Sequence, residues 1–225
     1  MTERECIVLF ARYPEKGKVK SRLAATYGAE FVLQLYDNFV ADSLDRLKDT
    51  EVPFIIAFDP PEKEDEMRSH FGRDHVYMPQ EGSDLGERMY YAFRRCFAEG
   101  FDSAVLIGSD IPDLPREILE EALFSLENHD AVIGPSRDGG YYLIGFKKDT
   151  LTPQVFKNIP WGAPTVLAAT MGVFTTREND VHLLPEWNDM DTPDDLADLV
   201  RRNSDTPFAG SRTMSYVKAR ILDKG

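Results

Sequence analysis

The sequence predicts an α/β protein with a mainly parallel, mixed central sheet and helices on both faces. Short apolar runs of strand length alternate with longer segments of helical periodicity, which is the pattern of a sheet with crossover helices. Several runs are apolar throughout, as expected for strands that are buried on both faces. Because ligands of such sheets bind beyond the carboxyl ends of the strands, the residues after each strand are candidates for function.

The apolar runs predict seven strands, of which the fifth and sixth are joined by the short segment Arg137-Asp138-Gly139-Gly140. A glycine doublet after an acid is typical of a tight hairpin turn, so these two strands are expected to be neighbours. The predicted strands lie at residues 6–12, 53–58, 75–79, 103–108, 130–136, 141–146 and 181–185.

Helical periodicity fills the segments between the strands. Asp84 and Asp113 are placed to cap the helices that follow them, and Gly100 is placed to end one. We expect residues 1–203 to form a single domain and residues 204–225 a helical C-terminal extension. The helices are predicted up to Asp49 and near residues 62–72, 84–100, 115–128, 164–179, 192–203 and 212–222.

The composition narrows the classes of function. The 225 residues carry a formal net charge of −13, which disfavours a general nucleic-acid binder. No run is long enough for a membrane span, and the acidic start of the chain lacks the layout of a signal peptide. Cys6 and Cys96 both lie in apolar patterns, as expected for reduced core residues of a cytoplasmic protein.

A basic loop interrupts this acidic chain between residues 12 and 22. It has five cationic residues against the single acid Glu15, which suggests a small anionic ligand bound at one place. Glycine and cations where a helix begins are typical of phosphate sites, although the loop matches neither the Walker A nor the GxGxxG motif. A solvated surface loop is the alternative. The candidate ligands are Arg12, Gly17, Lys20, Ser21 and Arg22.

A second candidate segment, residues 79–89, follows a strand and opens a helix. Gln80 could hydrogen-bond a base or ribose, and Gly82 and Gly86 would allow close backbone approach. The alternative is that Asp84 is only a helix cap and Arg88 only a surface charge. By itself, the segment does not decide between these interpretations.

Carboxylates at the end of the fourth strand predict a metal site. Asp110 follows a buried strand, where a carboxylate is costly unless it is paired or bound to a metal. Mg²⁺ takes one or two carboxylates and completes its shell with phosphate and water. Asp189 and Asp191 would be the partners of Asp110, while capping of the next helix is the alternative for Asp191. Asp113 fits a cap better than a ligand.

Other chemistries are disfavoured by the pattern. The segment Gly134-Pro135-Ser136-Arg137-Asp138 lacks the second glycine of a nucleophile elbow. The four histidines are scattered without metal-ligand spacing, and no CxxC motif occurs. A zinc enzyme and a Cys/His hydrolase are therefore not expected.

Six segments together resemble the GT-A-type glycosyltransferase family that is associated with radical-SAM and selenoprotein-domain genes. This family is similar in turn to the molybdenum-cofactor and phospholactate guanylyltransferases, and the resemblance implies a Rossmann-like nucleotide-diphospho-sugar transferase fold. It extends from about residue 6 to about residue 202. The segments are FARYPEKGKVKSRLA, QEGSDLGERM, LIGSDIPDL, GPSRDGGYYLIG, PWG and DMDTPDDL.

The resemblance implies a role for each candidate residue. Asp110 would bind the metal, Mg²⁺ or Mn²⁺, with Asp191 or Asp189 as the second ligand. Unlike glycosyltransferases with an Asp-x-Asp motif, the chain has no acid at Pro112, and this spacing is closer to that of nucleotidyltransferases. Arg12, Gly17, Lys20 and Arg22 would bind the phosphates, Gln80, Gly82 and Gly86 would line the base and ribose, and Ser109 would also bind the nucleotide. The transferred group would face Asp138, Gly139, Gly140 and Trp161.

These inferences predict a metal-dependent transferase that uses a nucleotide-activated donor, with nucleotide-sugar glycosyl transfer as the first hypothesis. Lys20, Arg22 and Asp110 would stabilise charge as the bond to the leaving group breaks. The first alternative is a guanylyltransferase-like nucleotidyltransferase that releases pyrophosphate. The second is a nucleotide-binding protein without catalysis. The acceptor is unknown from the sequence, and a homodimer is considered but not predicted by any motif.

Overall fold

The computed structural model describes residues 4–220 of the chain. The strands in this range are β1 (Glu5–Arg12), β2 (Phe54–Asp59), β3 (Val76–Pro79), β4 (Ser103–Gly108), β5 (Ala131–Pro135), β6 (Tyr141–Lys147) and β7 (Val181–Leu183). They form one sheet in the order β3-β2-β1-β4-β6-β5-β7. The predicted mixed sheet is therefore confirmed, with each strand within a few residues of its predicted place.

One strand runs against the others. β6 is antiparallel to both of its neighbours, β4 and β5, whereas every other strand pair is parallel. In the predicted hairpin, residues 136–140 connect β5 to β6. Since β6 begins at Tyr141, its first residues lie at the same edge of the sheet as the carboxyl ends of β4 and β5.

Helices connect the strands and cover both faces of the sheet. The predicted boundaries of α4 have the expected local causes: Asp84 accepts a hydrogen bond from the Glu87 backbone N–H at 2.8 Å, and Gly100 follows the helix with φ +90°. The helices are α1 (Ser21–Tyr27), α2 (Ala29–Asp49), α3 (Glu64–Phe71), α4 (Leu85–Ala98), α5 (Arg116–Ser125), α6 (Val166–Thr176), α7 (Pro193–Arg202) and α8 (Arg212–Arg220).

The sheet divides the core into two layers, and β1 shows how the sequence produces them. Ile7 and Leu9 belong to one layer, Cys6 and Val8 to the other, and all four are fully buried. Successive strand residues point to opposite faces, so an uninterrupted apolar run is required for a strand between two helical layers. α2, α5, α7 and α8 contribute to the first layer, and α4 and α6 to the second.

The C-terminal segment packs on α2. Asp42 accepts hydrogen bonds from the backbone N–H groups of Arg212 at 3.1 Å and Thr213 at 2.8 Å, where α8 begins. The rings of Tyr216 and Phe31 stack at 5.1 Å. The predicted last helix is thus present as far as residue 220, and its predicted end at 222 lies outside the described residues. No helix within residues 4–220 has the length and apolar character needed to cross a membrane.

One local prediction is wrong. Asp113 does not cap α5, because Pro115 occupies the N-cap position and provides no side-chain hydrogen bond. The Asp113 side chain is instead fully buried against the far end of α7, where it pairs with Arg202 at 2.7 Å. Asp113 therefore forms a tertiary ion pair instead of the helix cap that the local sequence predicts.

Candidate functional site

A cleft of about 720 Å³ opens at the edge of the sheet where β1, β2, β4 and β5 end. Most of the residues that the sequence predicts for the site line this cleft, although they come from segments far apart in the chain. They are Arg12, Lys20, Arg22, Gln80, Ser109, Asp110, Asp138, Gly140, Trp161, Asp189 and Asp191. Four predicted glycines, Gly17, Gly82, Gly86 and Gly139, are not among the lining residues.

Lys20 lies at the centre of the site. Its ammonium Nζ is 2.8 Å from Asp110 Oδ2 and 2.6 Å from Asp191 Oδ1, and its side chain is only 5% exposed. Burial lowers the pKa of Lys20, but Asp110 and Asp191 outweigh burial and the net pKa is raised, so the amine is charged. Its backbone has φ +47° and ψ +54°, a left-handed conformation that is unfavourable for a side-chain-bearing residue.

Asp189 carries the third carboxylate of the site. Its Oδ1 accepts a hydrogen bond from Ser136 Oγ at 3.1 Å, at the start of the β5–β6 hairpin. Burial and the neighbouring charge of Asp191 raise the pKa of Asp189, and Asp138 adds to this effect, whereas Lys20 opposes it. Asp189 is thus the carboxylate whose negative charge is least compensated by its surroundings.

Tyr36 connects β1 to the loop after β4. Its buried hydroxyl accepts a hydrogen bond from the Arg12 backbone N–H at 2.9 Å and lies 2.9 Å from Ser109 Oγ. Burial, followed by the charge of Asp110, raises the pKa of Tyr36 to about 12, so the hydroxyl stays protonated at neutral pH. These contacts fix Ser109 beside Asp110 and hold the end of β1 next to it.

Asp59, at the end of β2, organises a second group of charges. Its two carboxylate oxygens each lie 3.2 Å from a guanidinium, one from Arg12 and the other from Arg88. Gln80 follows β3 and donates its side-chain amide to the Ala57 carbonyl at 2.9 Å, which leaves its oxygen available to a ligand. Arg88 therefore belongs to the cleft, whereas the sequence left open whether it was only a surface charge.

Arg22 follows Lys20 in the same loop and is exposed at the cleft wall. Among the described residues, its guanidinium forms no ion pair or hydrogen bond, in contrast to the paired Arg12 and Arg88. A cation without a protein partner can bind an anionic ligand without first breaking an internal contact. Arg12, Lys20 and Arg22 of the predicted cationic loop therefore all line the cleft.

The β5–β6 hairpin forms the opposite wall. Asp138 Oδ1 accepts the Gly140 backbone N–H at 2.9 Å, which fixes the turn, and both residues line the cleft. Gly139 has φ +89°, and an added Cβ would overlap the carbonyl oxygen of Pro164. Glycine at 139 is therefore explained by close packing and by its left-handed conformation.

Trp161 lines the cleft beside the aromatic ring of Tyr141, with ring centroids 6.3 Å apart and planes at 84°. Gly86, at the start of α4, packs under this indole. A Cβ at Gly86 would lie 2.7 Å from Trp161 Cζ2 and 2.5 Å from the Phe156 carbonyl oxygen. Because Gly86 has no side chain, it leaves room for the Trp161 indole. The contact of Gly86 with a nucleotide stays a prediction.

The predicted metal ligands come together in part. Within the described residues 4–220, no group of three His, Cys, Asp or Glu side chains is placed to hold a metal ion. Asp110 and Asp191, however, both contact the single cation of Lys20. The carboxylate oxygens that surround the Lys20 ammonium are the type of ligand that a hard cation such as Mg²⁺ or Mn²⁺ prefers. Such a cation takes the rest of its shell from phosphate and water.

A buried network joins the two loops that carry these carboxylates. Asp113 accepts hydrogen bonds from Arg202 Nε at 2.7 Å, Asn203 Nδ2 at 2.7 Å and Trp187 Nε1 at 3.2 Å. The backbone N–H of Met190 also donates to the Asp110 carbonyl at 2.9 Å. Contacts outside the cleft therefore hold the loops of Asp110 and Asp191 together, in addition to the Lys20 ammonium that the two carboxylates share.

Sequence reasoning missed Asp59, Tyr36 and the network of Asp113. A signal for Asp59 was present, because it ends a buried strand in the same way that Asp110 follows one. Tyr36 has no such signal, since it occupies an ordinary core position on the apolar face of α2.

Comparison with known proteins places this chain in a family. The model of a bacterial family of uncharacterised proteins, DUF2064, matches residues 43–163. A crystal structure of a candidate nucleotide-diphospho-sugar transferase from Desulfovibrio desulfuricans G20 is 40% identical, with 98% of this chain and 96% of that chain covered and a TM-score of 0.94. No protein with a curated description matches the sequence.

More distant structures share only the fold. The inositol-1-phosphate CTP transferase from T. maritima is 15% identical, covers 97% of both chains and has a TM-score of 0.58. A manganese complex of the Rv0371c protein from Mycobacterium tuberculosis H37Rv is also 15% identical, with 89% and 99% coverage and a TM-score of 0.55. The narrower likeness to radical-SAM-associated glycosyltransferases stays a prediction. The chain belongs to the DUF2064 family and is a transferase with the nucleotide-diphospho-sugar transferase fold.

Proposed function

We propose that the protein is a divalent-metal-dependent glycosyltransferase that uses a nucleotide-activated sugar. The observation that carries this proposal is the position of Lys20, a buried ammonium between Asp110 and Asp191 at the ligand-binding edge of the sheet. Exposed or half-exposed cations continue from it along one wall of the cleft. The 40% identical relative is itself a candidate nucleotide-diphospho-sugar transferase, which supports the same class of donor.

In this proposal the cationic wall binds the nucleotide. Arg22 and Lys20 contact the diphosphate and stabilise its charge as the sugar–phosphate bond breaks. Arg12 and Arg88, held by Asp59, border the nucleoside side with Gln80. The predicted phosphate role of Gly17 and the nucleoside role of Gly82 stay predictions, because neither residue lines the cleft.

Mg²⁺ or Mn²⁺ would be held by Asp110 and Asp191, with Asp189 beside them, and would neutralise the charge of the diphosphate. The manganese complex of the M. tuberculosis protein supports a metal in this fold. On the opposite wall, Asp138, Gly140 and Trp161 orient the sugar or its acceptor, and Gly139 shapes their turn. The cytoplasmic location and a homodimer stay predictions from the sequence alone.

Nucleotidyl transfer is the second candidate, and a specific observation favours it. The residue two places after Asp110 is Pro112, so the end of the fourth strand lacks the Asp-x-Asp arrangement that many glycosyltransferases have there. The T. maritima relative in fold is a CTP transferase. In this alternative an acceptor attacks the α-phosphorus and pyrophosphate leaves; a nucleotide-binding protein without catalysis would release neither product.

A product assay across nucleotide-sugars and nucleoside triphosphates tests the three functions. With Mg²⁺ and a mixture of hydroxyl-bearing acceptors, we expect the sugar to pass to an acceptor hydroxyl or to water as the nucleoside diphosphate leaves, and a decrease of about 10²-fold or more in Asp110→Asn. The matched control is Asp149→Asn, an exposed acid beyond the opposite end of β6. Pyrophosphate as the product would support nucleotidyl transfer, and no product from any donor would contradict both enzymes.

Thermal unfolding of Lys20→Met tests the metal site without a substrate. The substitution leaves Asp110 and Asp191 facing one another, and we expect a loss of about 1–2 kcal/mol in EDTA. Mg²⁺ should restore more stability to this variant than to the wild type, because one cation replaces another. Lys16→Met, which removes an exposed ion pair with Glu30 outside the cleft lining, is the control. If Mg²⁺ stabilises neither the wild type nor Lys20→Met, the metal site is refuted.

A further inference from the structure

The two walls of the cleft differ in charge. The lining cations Arg12, Lys20, Arg22 and Arg88 belong to the nucleotide wall, as does Lys18. On the other wall, residues 136–144 and 161–166 contribute no lysine or arginine to the lining, within the part of the chain that the structure describes. Arg137 is the nearest candidate, but it pairs with Glu186 at 3.0 Å and does not line the cleft.

Two carboxylates, Asp138 and Asp189, line the cleft on or beside the wall that lacks lysine and arginine. Asp138 and Asp189 each use Oδ1 for an internal hydrogen bond, to the Gly140 N–H and the Ser136 hydroxyl. Among the described residues, neither Oδ2 atom has a hydrogen bond or an ion pair. Two free carboxylate oxygens can accept hydrogen bonds from hydroxyl groups, but they repel a phosphate.

An aromatic surface lies next to these oxygens. Trp161 and Tyr141 meet edge to face in the cleft lining, and Gly86 leaves room for the indole. An aromatic face beside hydrogen-bond acceptors is suited to a ring that has apolar C–H groups on its faces and hydroxyls on its rim. Sugars and cyclic polyols have this combination of groups.

We propose that the acceptor is an uncharged hydroxyl compound of the sugar or polyol class and not a phosphomonoester. The inference rests on the proposed function, which assigns the cationic wall to the nucleotide and the carboxylate wall to the sugar or its acceptor; of these two, the inference takes the acceptor. A hydroxyl of the acceptor would donate to Asp138 or Asp189. A phosphomonoester would meet both carboxylates, and the cations nearest to them, Lys20 and the proposed metal ion, are already engaged by Asp110, Asp191 and the diphosphate.

Matched pairs of probes test this inference by binding. The protein is first saturated with Mg²⁺ and either UDP or GDP, whichever binds more tightly, so that the nucleotide wall is filled. myo-Inositol and inositol 1-phosphate, and glucose and glucose 6-phosphate, are then titrated in ligand-observed NMR. We expect the uncharged member of each pair to bind at least about tenfold more tightly.

Two variants assign the discrimination to the carboxylate wall. Asp138→Asn should narrow the difference within each pair at least about threefold, because it removes one repulsive charge, and Asp149→Asn should leave it unchanged. Equal or tighter binding of the phosphorylated member overturns the inference, as does unchanged discrimination in Asp138→Asn. Failure of both nucleotides to bind would contradict the proposed function instead, and the initial nucleotide titration reveals it before any acceptor is added.

Discussion

At the scale of the residue, the carboxylates of the cleft differ in how their charge is compensated. Asp110 and Asp191 share the Lys20 ammonium, whereas Asp189 has a hydroxyl partner and two acidic neighbours. A cation between two carboxylates stabilises both, while a half-buried carboxylate near like charges is destabilised in its ionised form. The ionised form of Asp189 therefore carries a local cost in stability where the carboxylates of the cleft lie close together.

The pH dependence of Asp189→Asn tests this cost. Burial and Asp191 raise the folded-state pKa of Asp189 above its usual 3.8, so its contribution to stability is present below pH 3.8 and is lost as the pH rises through the folded-state pKa. The carboxamide has no charge to lose. We therefore expect a higher Tm than the wild type at pH 7 and no difference near pH 3. A lower Tm of the variant at pH 7 would contradict this account.

The sequence predicts the residues of the site better than it predicts their partners. Asp110, Asp191 and Lys20 were expected at one sheet edge because each follows or flanks a strand, and the structure brings them into contact. The hydroxyl of Tyr36 and the carboxylate of Asp59 were not identified as site groups. Their roles depend on side-chain contacts across the sheet, which no local spacing in the sequence encodes.

At the scale of the element, α7 acts on the cleft from outside it. Its first turn is stabilised by a capping box in which Thr192 and Asp195 bond each other's backbone N–H groups. Its last turn supplies Arg202, which binds Asp113 in the loop after Asp110. The helix thus connects the segment that carries Asp191 to the segment that carries Asp110.

Asp113→Ala is expected to disrupt this connection. Removing a fully buried carboxylate leaves Arg202 and Asn203 without their partner, and we expect a loss of about 3 kcal/mol in the free energy of unfolding. The Mg²⁺ concentration for half-maximal activity should also rise, because the two ligand loops are no longer held together. Denaturant titration and a Mg²⁺ series measure the two effects.

Asp198→Ala is the control on the same helix, since within residues 4–220 Asp198 pairs with the exposed Arg201 alone. It should change stability by no more than about 0.5 kcal/mol and leave the Mg²⁺ requirement as in the wild type. If Asp113→Ala destabilises the protein but keeps the wild-type Mg²⁺ requirement, the network supports the fold without positioning the site.

At the scale of the whole molecule, the C-terminal segment completes the first core layer. Phe208, Met214 and Val217 are buried, and Asp42 of α2 binds the first backbone N–H groups of α8. The predicted boundary after residue 203 stays a prediction of chain organisation. The packing nevertheless indicates that residues 204–220 contribute to the stability of the part before them.

A chain that ends at residue 203 tests this contribution. Loss of three buried apolar side chains removes on the order of 5 kcal/mol, a large share of the stability of a typical protein. We expect a strongly lowered Tm or insolubility. An unchanged Tm after truncation at 203 would identify the tail as an independent appendage.

The elements of the fold could be predicted from the sequence, but not the order of the strands. Apolar runs and helical periodicity are local, so all seven strands and the main helices were expected near their observed positions. That β6 lies between β4 and β5 depends on pairing between distant segments. The hairpin motif at residues 137–140 predicts β5 as one neighbour of β6. No motif in the sequence predicts β4 as the other neighbour.

The reversed direction of β6 has a consequence for how acceptor preference could change over evolution or by design. The proposed nucleotide wall follows β1 to β4, which form one half of the sheet with β3 at its edge. The opposite wall includes the hairpin connection at residues 136–140, between two strands that pair with each other. Exchanging this connection for that of other family members is expected to change the proposed acceptor preference, because the residues of the proposed nucleotide wall lie outside it.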